Sequence, residues 1–154
     1  MNALEMLKED HRKVQELFDQ VKADENSKRH KQLYKKIKTE LETHAYIEEK
    51  VLYPTLKKKE ELKDQVMEAI EEHLQLKTLF RDMDKLSEGN DRFEAKLQVL
   101  MDDTEHHVEE EESELFPKVE EIYSESELEE IGLQLESAKK EFAKKSKAKA
   151  ATAS

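Results

Sequence analysis

The sequence predicts an all-α protein: an up-down-up-down four-helix bundle with an additional C-terminal helix. Three observations predict it. Apolar residues recur with a period near 3.5 in four separate segments, which is the stripe of a helix that buries one face. Only 2 Gly and 2 Pro interrupt 154 residues. Charged residues make up 42% of the chain against 36% hydrophobic ones, where a globular domain usually has roughly 25% and 45–50%. A bundle of narrow-striped helices accounts for that polarity, because its outward faces are all charged. A disordered chain would lack the regular spacing.

The first stripe is Leu4, Leu7, position 11, Val14, Phe18 and Val21. The second is Leu33, Ile37, Leu41, positions 44 and 48, and Val51. The third is Leu62, Val66, Ala69, position 73, Leu76, Phe80 and Met83. The fourth is Phe93, Leu97, Leu100, Thr104, positions 107 and 111, and Leu115. Breaks are expected at residues 24–27, at Pro54 with residues 57–60, and at Gly89-Asn90-Asp91. Asp91 with Glu94 has the spacing of a capping box, as does Ser124 with Glu127 ahead of a fifth helix carrying Leu128, Ile131, Leu135 and Phe142. The expected organisation is a bundle over residues 1–123, an accessory helix over 124–145, and a disordered basic tail over 146–154.

The net charge is −11. Residues 139–154 carry six Lys against one Glu, so the remainder is more acidic still. Such a body repels phosphate backbones, and nucleic acid is not an expected partner. There is no Cys, which excludes disulfides, zinc–thiolate sites and iron–sulfur clusters. No apolar run approaches the roughly 18 residues of a membrane span. The opening MNALEMLKEDH lacks the basic-then-apolar pattern of a secretion signal. A cytoplasmic protein without membrane contact is expected.

Six polar residues occupy the core stripes: His11, His44, Glu48, His73, His107 and Glu111. They follow an internal repeat. Glu9-Asp10-His11 matches Glu71-Glu72-His73 at an offset of 62. His44-x-x-x-Glu48-Glu49 before Leu52-Tyr53-Pro54 matches His107-x-x-x-Glu111-Glu112 before Leu115-Phe116-Pro117 at an offset of 63. Each half is a helical hairpin with one lone His and one His-x-x-x-Glu. His and Glu four apart share a helix face, so two hairpins docked about a pseudo-two-fold axis bring six side chains together. An ionised carboxylate inside a bundle costs several kcal/mol unless it is paired or metal-bound. The core stripes hold no Lys or Arg to pair with it, and a metal centre resolves the conflict.

Two octahedral ions offer twelve coordination positions. Four His fill four, two bridging Glu fill four, and a bridging oxide or hydroxide fills two. One position then stays open on each ion for a small ligand. Two iron ions, cycling between Fe2+ and Fe3+, suit this set, although imidazole–carboxylate sites also take Zn, Mn or Co. The pattern differs from the ferritin-like type, which uses Glu-x-x-His and four carboxylates.

At these residues the chain resembles the hemerythrin family, in particular its HHE cation-binding branch. The shared pattern is a lone His followed by His-x-x-x-Glu, twice: His11, His44 to Glu48, His73, His107 to Glu111. It covers roughly residues 4–117, about three quarters of the chain. The resemblance implies a four-helix bundle, a carboxylate-bridged di-iron site, and binding of O2 or related species. Oxygen-carrying members have a further His one turn after the third-helix His, where this chain has Lys77. They also space the last His and an Asp by five, where this chain has Glu112, and the internal repeat favours Glu111 instead. These departures point away from oxygen transport and towards the branch linked to peroxide, nitric oxide or iron sensing.

The expected function is a di-iron protein that binds O2, peroxide or NO for sensing, storage or detoxification. The alternatives are an enzyme with catalase-like, peroxidase-like or NO-consuming activity, and an iron-buffering or structural metal bundle. Glu49 and Glu112 are expected on the rim, or else as extra ligands or in contact with the ligands. Tyr46 lies beside the ligand face, either packed or touching the ligands. Lys77 is expected to turn its ammonium to solvent, and His30 and His106 to face water. Phe18, Phe80, Phe116 and Tyr53 are expected as core packing.

Overall fold

The computed structural model describes residues 1–153; its elements among those residues are all helical. Helix α1 (Ala3–Ala23) opens on Asn2, whose side chain accepts from the Glu5 amide while Glu5 reaches back to the Asn2 amide. Helix α2 (Ser27–Ile47) is capped by Asn26. Helix α3 spans Glu60–Met83 and α4 spans Asp91–Glu110. Gly89, at φ +78°, makes the left-handed turn that lets Asn90 sit extended ahead of α4. Asn90, rather than the expected Asp91, caps that helix by accepting from the Arg92 and Phe93 amides. Its amide side chain is as good a cap as a carboxylate. Helix α5 spans Glu125–Ala153. Its N-terminus carries the predicted Ser124–Glu127 box, with both reciprocal hydrogen bonds formed.

Two departures from the sequence reading concern helix continuity. After Ile47 and after Glu110 the chain does not stop but widens into a π-helical turn, Glu48–Leu52 and Glu111–Leu115. Short α-helical segments follow, Tyr53–Leu56 and Phe116–Ile122. The amides of Tyr53 and Phe116 bond back to the carbonyls of Glu48 and Glu111. Pro54 and Pro117 explain the turns, because a proline clashes with the carbonyl four residues before it and a wider turn moves that carbonyl aside. The extra residue shifts the buried stripe by one, so that Leu52 is buried where the straight period expects Val51. The second departure is α5. It continues to Ala153, so residues 146–153 are helical where a disordered tail is expected, and Ser154 lies outside the described residues. Alanine and lysine are strong helix formers, which suits an extended helix.

Helices α1 with α2 and α3 with α4 form the two hairpins, and α5 lies across α1, α2 and the wide turn after α2. The apolar core is split in two. One cluster holds Leu4, Leu7, Ile47, Leu52, Leu56, Leu62, Phe116 and Val119, and includes Leu128, Ile131 and Leu135 of α5. The other holds Val14, Phe18, Leu33, Tyr34, Ile37, Leu76, Phe80, Phe93 and Leu97. The polar residues of the stripes form a layer between them. His30 belongs to neither cluster, yet it is not the solvent-facing residue expected. It sits half-buried, with Nδ1 2.8 Å from Glu94 and Nε2 bonded to the carbonyl of Asp24. It ties the end of α1 to the start of α4.

Gly132 marks the place where α5 crosses the N-terminus. A Cβ there would stand 2.7 Å from the Met1 carbonyl oxygen and 3.2 Å from the Ala3 nitrogen. Alanine would ordinarily stabilise a helix interior by about 1 kcal/mol over glycine. Gly132→Ala is nonetheless expected to lower stability by about 1–3 kcal/mol, the usual cost of overpacking. Chemical denaturation of the two proteins reads the difference directly.

Candidate metal centre

The six stripe residues converge in the polar layer, each at most 6% exposed. His11, His44 and Glu111 form one group whose donor atoms all lie within 4.8 Å of one another, and Glu48, His73 and His107 form a second. The two carboxylates join the groups. Glu111 places Oε1 3.3 Å from His11 Nε2 and Oε2 3.3 Å from His107 Nε2. Glu48 Oε1 stands 3.2 Å from His44 Nε2 and 3.3 Å from His73 Nε2. Each carboxylate therefore touches one histidine from each hairpin.

All four imidazoles point Nε2 inward and Nδ1 outward, and every Nδ1 meets a carboxylate. Glu112 is 2.6 Å from His11 Nδ1, Asp10 3.1 Å from His44, Glu49 2.8 Å from His73, and Glu72 2.6 Å from His107. The arrangement follows the internal repeat. Asp10 and Glu72, each just before a lone His, serve the second His of their own hairpin. Glu49 and Glu112, each just after the buried Glu, serve the lone His of the other. A proton held on Nδ1 by a carboxylate leaves the Nε2 lone pair free for a cation.

These four acids extend the sequence reading. Glu49 and Glu112 are neither idle rim residues nor placed among the inward-facing donor atoms: they orient histidines. Asp10 and Glu72 were not singled out, although the acid before each lone His in the repeat carries the signal. Lys77 does not simply turn to solvent; its Nζ donates to Glu49 Oε1 at 2.8 Å. Tyr46 packs its ring on Phe142 of α5, 4.9 Å between centroids, and its hydroxyl accepts from Lys50. Tyr53 is packed as expected but is also polar in its role: its hydroxyl donates to Glu111 Oε2 at 2.6 Å and lies 3.4 Å from His73 Nε2. His106 faces solvent as expected.

The donor set fits a cation on the evidence of its own unsatisfied atoms. Both oxygens of Glu48, Oε1 of Glu111 and Nε2 of His107 are buried without a hydrogen-bond partner. Buried polar atoms are rarely left so, and here four converge on one spot. A profile of the hemerythrin HHE cation-binding domain matches residues 2–119. The chain belongs to the hemerythrin HHE cation-binding domain family. A solved structure of an HHE cation-binding domain-containing protein from Mycobacterium kansasii superposes with a TM-score of 0.77 at 26% identity, covering 92% of this chain and 87% of that one. A DNA nickase from Nostoc sp. is 27% identical over 139 residues, which is 90% of this chain but 39% of the nickase.

Without a cation, the HHE site must balance its charge with protons. Burial pushes the His44 imidazole down, but Glu48, Asp10 and Glu111 outweigh it and hold its pKa up at about 10. His107 is raised well above its ordinary value by Glu111 and Glu72 against the same burial. Burial raises Glu111 while His107 and His11 draw it well below the carboxylate range. Asp10, pushed up by burial, is brought to about 2 by His44 and Lys139. Imidazolium ions thus stand in for the metal charge.

Two predictions follow from this electrostatics. A group whose pKa is raised on folding stabilises the fold below its unfolded value and ceases to do so as pH climbs through the folded one. The metal-free domain should therefore lose thermal stability between pH 6.5, the ordinary histidine value, and about 10. Metal-loaded protein should hold its melting temperature over that range and lose it in acid, where protons compete for Nε2. A flat metal-free profile would contradict the charge balance described. Glu112→Gln and Glu72→Gln should each weaken cation affinity about 10–100-fold, measured by competition with a chromophoric chelator, and Glu109→Gln should leave it unchanged.

Proposed function

We propose that this HHE domain is a non-haem di-iron protein that binds dioxygen or a related small ligand, peroxide or nitric oxide, for sensing, storage or detoxification. The observation that carries the reading is the pair of buried carboxylates, each set between histidines of opposite hairpins, with partnerless oxygens directed into the polar layer. His11 and His44 would hold one iron, His73 and His107 the other, and Glu48 and Glu111 both, with an oxide or hydroxide completing the bridge. Imidazole-rich ligation with only two carboxylates suits reversible redox change. When bound, the iron pair supplies the electrons and the open positions for a small ligand.

The chain's own residues provide the route and the surroundings. A cavity of about 20 Å³ touches all four histidines, and its other walls are largely apolar: Val14, Leu41, Ala45, Leu76 and Val108, with Asp10 and Thr104. That is room for about one water-sized molecule. Leu41, Ala45, His73 and Leu76 are also the floor of an outer cleft of about 510 Å³. A single layer of side chains therefore separates the cavity from an apolar vestibule, which favours small uncharged ligands. The buried Tyr53 hydroxyl favours a second reading, an enzyme that consumes peroxide, because it places an exchangeable proton 2.6 Å from a bridging carboxylate oxygen. The nickase activity of the Nostoc relative does not extend to this reading: a net charge of −11 opposes a phosphate backbone.

His44→Ala or His107→Ala should lower iron content sharply and destabilise the loaded bundle by about 3–5 kcal/mol, since each strands a buried carboxylate. Full iron occupancy with unchanged melting in both variants would rule out the assignment. The visible spectrum separates the two activities. Bands that change on removal of dioxygen and are restored on its readmission support carriage or sensing. Steady gas evolution from added peroxide supports the enzyme, and Tyr53→Phe should then slow it without lowering iron content.

A further inference from the structure

The two hairpins are related by an internal repeat, yet they differ on one face. In the second hairpin Gln65, Glu68, Glu72, Glu110 and Glu114 line a cleft of about 70 Å³. At the repeat offsets their counterparts in the first hairpin are Ala3, Met6, Asp10, Ile47 and Val51. Four of those five are apolar and pack in the cluster that α5 covers. The fifth, Asp10, is held by Lys139 of α5 at 2.7 Å. Helix α5 thus closes one approach to the polar layer and leaves the related one open.

An uncovered face needs polar residues in any case, but solvation alone does not ask for four carboxylates of one sign. Among the described residues no lysine or arginine forms an ion pair with Glu68, Glu72, Glu110 or Glu114. At the mouth, Glu72, His106 and Glu110 bring donor atoms within 4.8 Å of one another, with His106 Nε2 2.9 Å from Glu110. Glu72 also contacts His107 Nδ1, so the outer group is joined to the inner one by a single side chain. His107 and Glu111 line the inner end of the cleft, and His107 Nε2, Glu111 Oε1 and Gln65 Oε1 of its lining residues are buried without hydrogen-bond partners. The largely apolar vestibule on the other side of the site balances its charges instead: two acids, Glu42 and Glu49, face two lysines, Lys50 and Lys77, and Glu49 is paired with Lys77.

We infer that the Glu68–Glu72–His106–Glu110–Glu114 cleft is the route by which divalent cations load the interior site, with Glu72, His106 and Glu110 as the outer station. The inference rests on the metal-centre reading above. Carboxylates of one sign in a cleft concentrate cations and speed their arrival. A His-containing trio can hold a divalent ion that has shed part of its water. Cations and uncharged ligands then reach the site from different sides.

Cobalt(II) is the probe, because its visible absorption reports binding without any turnover. Metal-free protein is mixed with Co(II), and the absorbance is followed to its endpoint. The variant combines Glu68→Gln, His106→Ala, Glu110→Gln and Glu114→Gln, all outside the six interior residues and their Nδ1 partners. Loading should slow by about tenfold or more at low ionic strength, while the final Co(II) content and spectrum match the parent. Added salt should slow the parent more than the variant. Parent-like loading in the variant would overturn the route and leave the interior site standing. Failure of the parent to take up Co(II) at all would overturn both. If the combined variant does not fold, the Co(II) loading rate of the milder Glu68→Gln/Glu114→Gln variant decides: slower loading to the same endpoint supports the route, and a parent-like rate refutes it.

Discussion

Two carboxylates buried at the centre of a small helical protein set the terms for nearly everything around them. Glu48 and Glu111 are at most 2% exposed, and a buried charge is tolerated only when something opposite faces it. Four imidazoles do so, and their own Nδ1 atoms in turn need acceptors. Four further acids provide these: Asp10, itself buried, and Glu49, Glu72 and Glu112 nearer the surface, with Lys139 and Lys77 completing two of the chains of charge. The polar layer is thus a graded shell, from unsolvated carboxylate to exposed ammonium. The apolar core is divided because this shell occupies the middle of the bundle.

The same shell gives a physical account of how the fold responds to its cation. With metal bound, the positive charge is at the centre and the Nδ1 protons face outward. Without it, the surrounding carboxylates favour the protonated form of His44, His73 and His107, and the charge is carried on those rings. Both states oppose Glu48 and Glu111, so the bundle has two ways of being electrically complete, and they differ in how they respond to pH. Proton and metal compete for the same inward-facing nitrogen atoms, which links metal retention to acidity with no moving segment required.

Much of this was legible in the sequence because helical periodicity is a strong signal, and a histidine or glutamate in an apolar row stands out. His11, His44, Glu48, His73, His107 and Glu111 were found that way, and the repeat added their pairing into hairpins. Of the outer acids, the sequence marks Glu49 and Glu112 as neighbours of the ligand face without showing which histidine each serves, and it leaves Asp10 and Glu72 unmarked, because a glutamate beside a core position looks like any solvated glutamate until the facing helix is known. Glu112 serves a histidine 101 positions earlier, and no local pattern encodes that. His30 was misplaced for the same reason: its partners lie on the end of one helix and the start of another. Asn90 rather than Asp91 caps α4 because a single left-handed glycine sets the phase, a detail finer than capping motifs resolve.

The wide turns after Ile47 and Glu110 separate two kinds of positional information along one continuous rod. Up to the first residue of each turn, the rotation of the helix aims His44 and Glu48, or His107 and Glu111, into the polar layer. Downstream, the added residue resets the rotation by about 100°, and that resets where Tyr53 and Phe116 look. The floor of the site can therefore be retuned by substitutions after the turn while the aim of the residues before it stays fixed. Deleting one residue from either turn would act like a gear slipping one tooth: the rod would remain helical, and floor and ligands would no longer face the same centre.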